Sequence, residues 1–247
     1  MKYKSFSKSI WDELERSYSL AKKANESLVA AFDADGTLWD TDFGEAYFSY
    51  QIENKLVPLP DQPWEHYHNL KLQKPEDAYL WLAQIHQGVP LPTVHEWAKK
   101  NLDTLHPVPF FEEQVKLIQW LHDHQVKVFV ITASVKWSVE PGANALGIPA
   151  DNVLGVETVI DNGLVTSKQN GAITYRAGKV EALLQKTKGQ RPFFASGNSN
   201  GDIDLLSSAT HMALAVTSTR PDDKLYKAEQ TLQKEAEVKN WIKHSFI

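Results

Sequence analysis

From residue 109 onward the chain alternates two textures. Short apolar runs, VKVFVIT (126–132), LGVETVI (154–160), RPFFAS (191–196) and HMALAV (211–216), are separated by stretches with apolar residues at helical spacing. Helices are expected at PFFEEQVKLIQWLHDH (109–124), SVEPGANALGI (138–148), AGKVEALLQKT (177–187), DIDLLSSA (202–209) and EAEVKNWIKHSF (235–246). Earlier in the chain, Ile10, Leu14, Tyr18 and Ala21 mark a helix over 8–24, and LVAAF (28–32) is a strand short and apolar enough to be covered on both faces. Strand-helix alternation of this kind demands an α/β fold, a mostly parallel sheet sandwiched between two helical layers. One hairpin interrupts it, signalled by Asn162-Gly163 between LGVETVI and LVTSK.

The segment 41–107 is different. It carries helical spacing throughout, with Pro58, Pro60, Pro63, Pro75, Pro90 and Pro92 marking linkers and helix starts, and no convincing strand. It is expected to be a helical insertion, so that residues 1–40 and 108–247 form one discontinuous core.

The composition narrows the function classes. The 247 residues include no cysteine, which rules out disulfides and thiolate metal sites. The formal charge is −5 and no basic stripe is visible, so nucleic acid is not an expected partner. The N-terminal stretch lacks an apolar signal region, and no run is long enough to span a bilayer. A cytoplasmic protein acting on a small molecule, monomeric or homodimeric and with no membrane partner, is the expectation.

Ligands of open α/β sheets bind at the carboxyl ends of the strands. Four polar stretches fall there or on the adjoining helix starts: DADGT (33–37), TAS (132–134), Lys179 and GNSNGD (197–202). Asp33 and Asp35 are two apart, so in an extended segment they face the same way. A divalent hard cation would relieve their repulsion, and Mg²⁺ takes such oxygen ligands while sharing its site with phosphate. One carboxylate can attack phosphorus and the other can shuttle a proton. The alternative is a plain Asp-Gly turn. An EF-hand reading of 33–44 fails, because Leu38 and Gly44 stand where glycine and glutamate are required. Thr132 can hold a phosphoryl oxygen, or the TAS stretch can simply cap the next helix. Lys179 can balance phosphate charge, or be a surface lysine. Asn198 and Asp202 can reach a metal, or Asp202 can cap a helix.

Together, in this order, the four stretches resemble the haloacid dehalogenase superfamily, in its phosphoserine-phosphatase-like branch. The resemblance covers most of 28–215 and includes TASVKWSVEPGANALGI and NGLVTS. It implies a Rossmann-like core with a helical cap inserted after the first motif. It further implies Asp33 as nucleophile and Asp35 as general acid/base. Mg²⁺ would be held by Asp33, the Asp35 backbone carbonyl and Asn198, with Asp202 as the second acid of the fourth motif and Asp204 in reserve. Thr132, Ala133, Gly36 and Lys179 would bind the phosphoryl group. The second acid of the first motif points to phosphate chemistry and not dehalogenation. Asn198 departs from the pattern, which has aspartate there, so the metal site has one negative charge fewer.

Residues 40–108 contain no arginine, the residue phosphoserine phosphatases use for the substrate carboxylate, but they are rich in aromatics. Trp39, Asp42 and Glu45 lie close to the first motif. Aromatic rings and acids suit an amine ester such as phosphocholine or phosphoethanolamine; the commoner use of such rings is to form the core of a small helical domain. The paired histidines His66/His68 and His122/His124 are expected to be solvated or capping. Two rival functions remain. GNSNG fits the G-x-S-x-G elbow of a serine esterase, with Ser199 as nucleophile and Asp222 or Asp223 and His244 completing a triad. Alternatively, the fold binds a phosphorylated ligand without hydrolysing it.

Overall fold

The computed structural model describes residues 3–247, so the first two residues of the expected core segment 1–40 lie outside it. Helix α1 (Lys8–Lys23) leads into β1 (Val29–Phe32). Helices α2 (Phe43–Glu53), α3 (Pro63–Gln73), α4 (Pro75–Gln84) and α5 (Leu91–Thr104) follow without an intervening strand. The chain then runs α6 (Glu112–Asp123), β2 (Lys127–Val135), α7 (Lys136–Ala145), β3 (Val153–Asp161), β4 (Leu164–Asn170) and α8 (Ala177–Lys186). It closes with β5 (Phe194–Gly197), α9 (Ile203–Ser208), β6 (Met212–Thr217), α10 (Tyr226–Val238) and β7 (Ile242–Ser245).

The sheet has seven strands in the order β4-β3-β2-β1-β5-β6-β7, parallel except for the β3–β4 hairpin. That hairpin turns through Asn162 and Gly163, both at positive φ (48° and 79°), as the Asn-Gly pair demands. Period-2 alternation divides β1 between two cores. Ala30 and Phe32 pack with Leu14 of α1, Leu117 and Leu121 of α6 and Val139 of α7. Val29 and Ala31 pack with Leu183 of α8 and Leu205 of α9 on the other face. Two helical layers therefore enclose the sheet, the Rossmann-like arrangement expected.

β1 sits at the centre, pairing with β2 on one side and β5 on the other. The chain leaves β1 toward β2 and β3, then returns to β5 and continues to β6 and β7 on the opposite flank. The carboxyl ends of β1 and β5 thus flank the topological switch point, where a crevice opens without any further device.

Two expectations need correcting at the strand ends. The closing helix predicted over 235–246 ends at Val238; Asn240 takes a left-handed φ of 54°, and 242–245 becomes a strand pairing with β6. The open edge of β6 takes up Ile242–Ser245, and tertiary pairing outweighs local helical spacing. The second strand also runs further than expected. β2 extends to Val135, so neither Thr132 nor Ser134 caps α7, whose N-cap is Val135.

The inserted helices do not carry a core of their own. Phe48, Tyr67, Leu82 and Val94 from α2–α5 share one apolar cluster with Val135, Trp137, Val156 and Val165 of the main sheet and α7. The insertion is joined to the core through Trp39 and Phe43, whose rings stack at 4.3 Å. Both rings lie against Gly142 of α7. Among the described residues no helix is long and apolar enough to cross a membrane.

A Cβ at position 142 would overlap the Phe43 ring. The Gly142→Ala substitution is therefore expected to destabilise the protein by about 1–3 kcal/mol through overpacking, despite alanine's better helix propensity. Denaturant unfolding checks this; a stabilised variant contradicts the packing described.

Candidate active site

Each strand end delivers one part of the site. β1 continues its ladder one residue past its end, Asp33 N–H donating to the Ser196 carbonyl at 2.9 Å. The chain then turns sharply, with Leu38 N–H donating to the Ala34 carbonyl at 2.8 Å. Gly36 adopts φ +75° and lies so close to Asn198 that a Cβ would overlap the amide nitrogen. Its own N–H donates to the Trp39 carbonyl at 3.0 Å, so it is spent in the turn and not directed at a phosphate.

Lys179 is the centre of the arrangement. It lies in the first turn of α8, not on the surface but 3% exposed. Its ammonium donates to Asp33 Oδ1 at 2.5 Å and to Asp202 Oδ1 at 2.6 Å. Asp33 Oδ2 accepts from the Thr37 hydroxyl at 2.9 Å. Asp202 Oδ2 accepts from the backbone N–H groups of Asn198 and Ser199 at 3.2 and 2.9 Å and from Ser199 Oγ at 3.1 Å. Both Asp202 oxygens are engaged in holding Lys179 and the loop.

Burial pushes the Asp33 carboxyl up to about 6, aided by the charge of Asp202 and opposed by Lys179. Burial alone would lower the Lys179 ammonium, but Asp202 and Asp33 override it and raise it. Lys179 is therefore a fixed positive charge at any working pH.

Asp35 occupies a different environment. One oxygen accepts from Trp39 Nε1 and from Phe43 N–H, each at 2.8 Å, and the other from Ser134 Oγ at 2.7 Å. Even so, burial raises this carboxyl well above the ordinary range, and the neighbouring Asp42 charge raises it further. Two carboxyl groups two residues apart are thus held differently, one paired to a buried cation and one poised to keep a proton.

The cleft between sheet and inserted helices has a volume of about 150 Å³. Asp33, Asp35, Thr132, Ala133, Lys179, Asn198 and Asp202 line it from below, and Asp42, Glu45, Tyr67, Lys71 and Tyr79 from above. Thr132 Oγ1 accepts from Ser134 N–H at 3.0 Å, which leaves its hydroxyl proton free to donate. Trp39, expected near the substrate, is fully buried beneath Asp35. Asp42 caps α2, accepting from Glu45 N–H at 2.7 Å, and Glu45 pairs with Lys224. Lys71 Nζ stands over the Tyr67 and Tyr79 rings at 5.2 and 5.4 Å, so those faces already carry the protein's own cation. Tyr47 and Phe48 are core, 2% and 1% exposed.

Mg²⁺ fits the donors on chemical grounds. Asp33 Oδ2 and Asn198 Oδ1 approach one hydroxyl, Thr37 Oγ1, at 2.9 and 3.4 Å, so two hard oxygens from adjacent strand ends converge. Among the described residues no three His, Cys, Asp or Glu side chains form a ready cage. A carboxylate, an amide oxygen and a backbone carbonyl suit a cation that retains several waters.

The esterase arrangement is not assembled. Ser199 Oγ donates to Asp202 and accepts from Gly201 N–H, capping a short 3₁₀ turn. His244 lies on β7, hydrogen-bonded to the Lys4 carbonyl and packed between Phe6 and Phe246. Sequence reasoning placed Thr37 and Ser134 in polar strand-end stretches, with Ser134 as a helix cap, but not as partners of Asp33 and Asp35; it passed over Glu229, whose role depends on contacts across the fold.

A model of the haloacid dehalogenase-like hydrolase family matches residues 30–207. No curated protein matches in sequence. A protein of unknown function from Bordetella pertussis Tohama I shares the fold at 18% identity and TM-score 0.69, covering 90% of this chain and 100% of that one. A phospho-aspartyl intermediate analogue of phosphoserine phosphatase matches at 16% identity and TM-score 0.54, over 85% of this chain and 91% of that one. Cytosolic 5′-nucleotidase IIIB bound to cytidine matches at 13% identity and TM-score 0.59, over 91% and 82%.

Removing the buried cation gives a pH-dependent loss. Asp33 titrates above its ordinary 3.8, at about 6, so its ionisation erodes folded stability as pH rises through that window. Lys179→Met leaves two buried carboxylates without a counter-charge and moves the Asp33 carboxyl higher still. In metal-free buffer the expected loss is about 3–5 kcal/mol at about pH 8, and smaller at about pH 5, where Asp33 can take up a proton. Denaturant unfolding at both pH values checks this; equal losses contradict it.

Proposed function

The chain belongs to the haloacid dehalogenase-like hydrolases, and we propose that it hydrolyses phosphomonoesters of small metabolites through a phosphoryl group carried transiently on Asp33. The observation that carries this reading is the contrast between two neighbouring carboxyl groups. Asp33 is paired with the buried Lys179 ammonium, whereas Asp35 is held well above the carboxylate range.

Asp33 attacks phosphorus, forming one P–O bond as the ester P–O bond breaks. The departing oxygen takes the proton that Asp35 holds. Asp35, now a base, takes a proton from the water that attacks the phosphorylated Asp33, which releases phosphate and restores both groups. Lys179 and the Thr132 hydroxyl, with the backbone at Ala133, face the equatorial oxygens, where charge accumulates in the transition state. Mg²⁺, held by Asp33, the Asp35 carbonyl and Asn198 Oδ1, would neutralise further charge on the transferred group. The inserted helices roof the cleft and restrict water.

Substitutions separate the two roles. Asp33→Asn is expected to abolish turnover, at least about 10³-fold. Asp35→Asn is expected to cost about 10²–10⁴-fold on alkyl phosphates but far less on p-nitrophenyl phosphate, whose leaving group needs no proton. Steady-state kinetics with both ester types, with and without Mg²⁺, test this. Equal losses on the two esters contradict the acid role of Asp35, and full activity in Asp33→Asn contradicts the whole reading. The asparagine at 198 also allows a protein that binds phospholigands without turnover, which the same assay distinguishes.

The substrate reading follows from the cleft's size and charge. The space beside Asp33 and Lys179, about 150 Å³, is below the ~300 Å³ low end of ordinary ligand sites and fits the phosphoryl end of a small ester; Asp35, Asp42 and Glu45 also line an adjoining cavity of about 380 Å³ that leaves room for its head group. Glu45 is already paired with Lys224, so Asp42 is the acid that favours an ammonium group on the ester. Because Lys71 already covers the tyrosine faces, recognition would come from a hydrogen bond to the Asp42 carboxylate and not from an aromatic cage. A primary ammonium donates such bonds and a quaternary one does not. Phosphoethanolamine is therefore expected to exceed phosphocholine in kcat/KM by about tenfold, one charge-assisted hydrogen bond, and to exceed phosphoserine as well, because the carboxylate of phosphoserine would meet the acidic lining at Asp42 and Glu45. A preference for phosphoserine, or none, removes the amine reading and leaves the phosphatase reading standing.

A further inference from the structure

Asn198 is the neutral ligand in an otherwise acidic site, and its amide is not free to turn. The residue is 3% exposed. Its Nδ2 donates to Glu229 Oε1 at 3.2 Å, and its Oδ1 lies 3.4 Å from the Thr37 hydroxyl on the Asp33 side. Gly36 packs against the amide nitrogen with no room for a side chain.

Glu229 reaches this position from α10 and is itself fully buried. It is surrounded by donors. Oε2 accepts from Ser218 and Thr219 N–H at 3.1 Å each, from Thr219 Oγ1 at 2.5 Å, and from Thr217 Oγ1. The segment just beyond β6 is thus wrapped around one carboxylate, and the remaining oxygen faces Asn198. The two ends of an asparagine amide have nearly the same shape, so its orientation is set by partners alone. An acceptor-only carboxylate admits the NH₂ end and excludes the carbonyl end.

We propose that Glu229 is the positioning residue of the cation site, turning the Asn198 carbonyl oxygen toward Asp33 and supplying, one side chain away, the negative charge that Asn198 lacks. This rests on the metal-dependent reading above. The pair Asn198–Glu229 then does what a single carboxylate at 198 would do. The corollary is specific: an acid at 198 is incompatible with Glu229, because two carboxylates would meet where one N–H···O bond now lies.

The test is a double-mutant cycle on the full chain, read by Mg²⁺ titration calorimetry and by unfolding in EDTA. Glu229→Gln is expected to weaken Mg²⁺ binding about 10–100-fold, the usual cost of losing a partner that orients a ligand. Asn198→Asp is expected to weaken Mg²⁺ binding and lower the unfolding midpoint, despite adding a charged ligand. The double variant N198D/E229Q, in which the introduced side-chain amide can donate to the new carboxylate, is expected to recover binding to within about threefold of the original chain. Tighter Mg²⁺ binding by Asn198→Asp alone, or unchanged binding by Glu229→Gln, overturns the role of Glu229 and leaves the phosphatase reading intact. Absence of Mg²⁺ binding by the unaltered chain overturns both. Should Glu229→Gln not fold, the sign of the Asn198→Asp effect on Mg²⁺ affinity decides alone.

Discussion

A lysine ammonium sealed between two aspartates holds this site together. Lys179 comes from α8, Asp33 from the end of β1, and Asp202 from the loop after β5, and all three are buried. A buried ion pair adds little net stability over an apolar replacement, but breaking one is costly because an unpaired charge remains. Its value here is positional. One cation fixes three segments against one another at the switch point of the sheet, where the crevice already exists. Asp202 spends its second oxygen on the loop carrying Asn198 and Ser199, so that loop follows Lys179 as well.

The division of labour proposed for the two first-motif acids rests on the same geometry. Asp33 sits next to the cation. Asp35 accepts no bond from that ammonium and lies beside Asp42, with Trp39 and Phe43 beneath it. The Trp39–Phe43 stack that joins the inserted helices to the core therefore also carries the donors that orient Asp35. Packing of the inserted helices and orientation of the Asp35 carboxyl therefore depend on the same two residues.

The sheet was legible in the sequence because it is written locally. Apolar runs, the Asn162-Gly163 turn and the acids after LVAAF each carry their own signal. β7 was not legible, since residues 242–245 become a strand only because β6 offers an open edge. In the site, Asp33, Asp35, Lys179 and Asp202 could be named from their motifs, but their environments could not. Nothing local in AGKVEALLQKT says that Lys179 is buried. Glu229 was invisible for a stronger reason: it lies 31 residues from Asn198 in a helix of ordinary charged residues. Ser134 likewise reads as a helix cap until the strand is seen to continue past it.

The most direct test of the account is the site of covalent phosphorylation. The chain, mixed with a phosphomonoester and Mg²⁺ and quenched in acid during turnover, is digested and its peptides are analysed by mass spectrometry. The account predicts a phosphoryl group on Asp33, sensitive to hydroxylamine as an acyl phosphate must be. Turnover with the phosphoryl group on another residue, or with no phosphoenzyme under rapid quench, would contradict it.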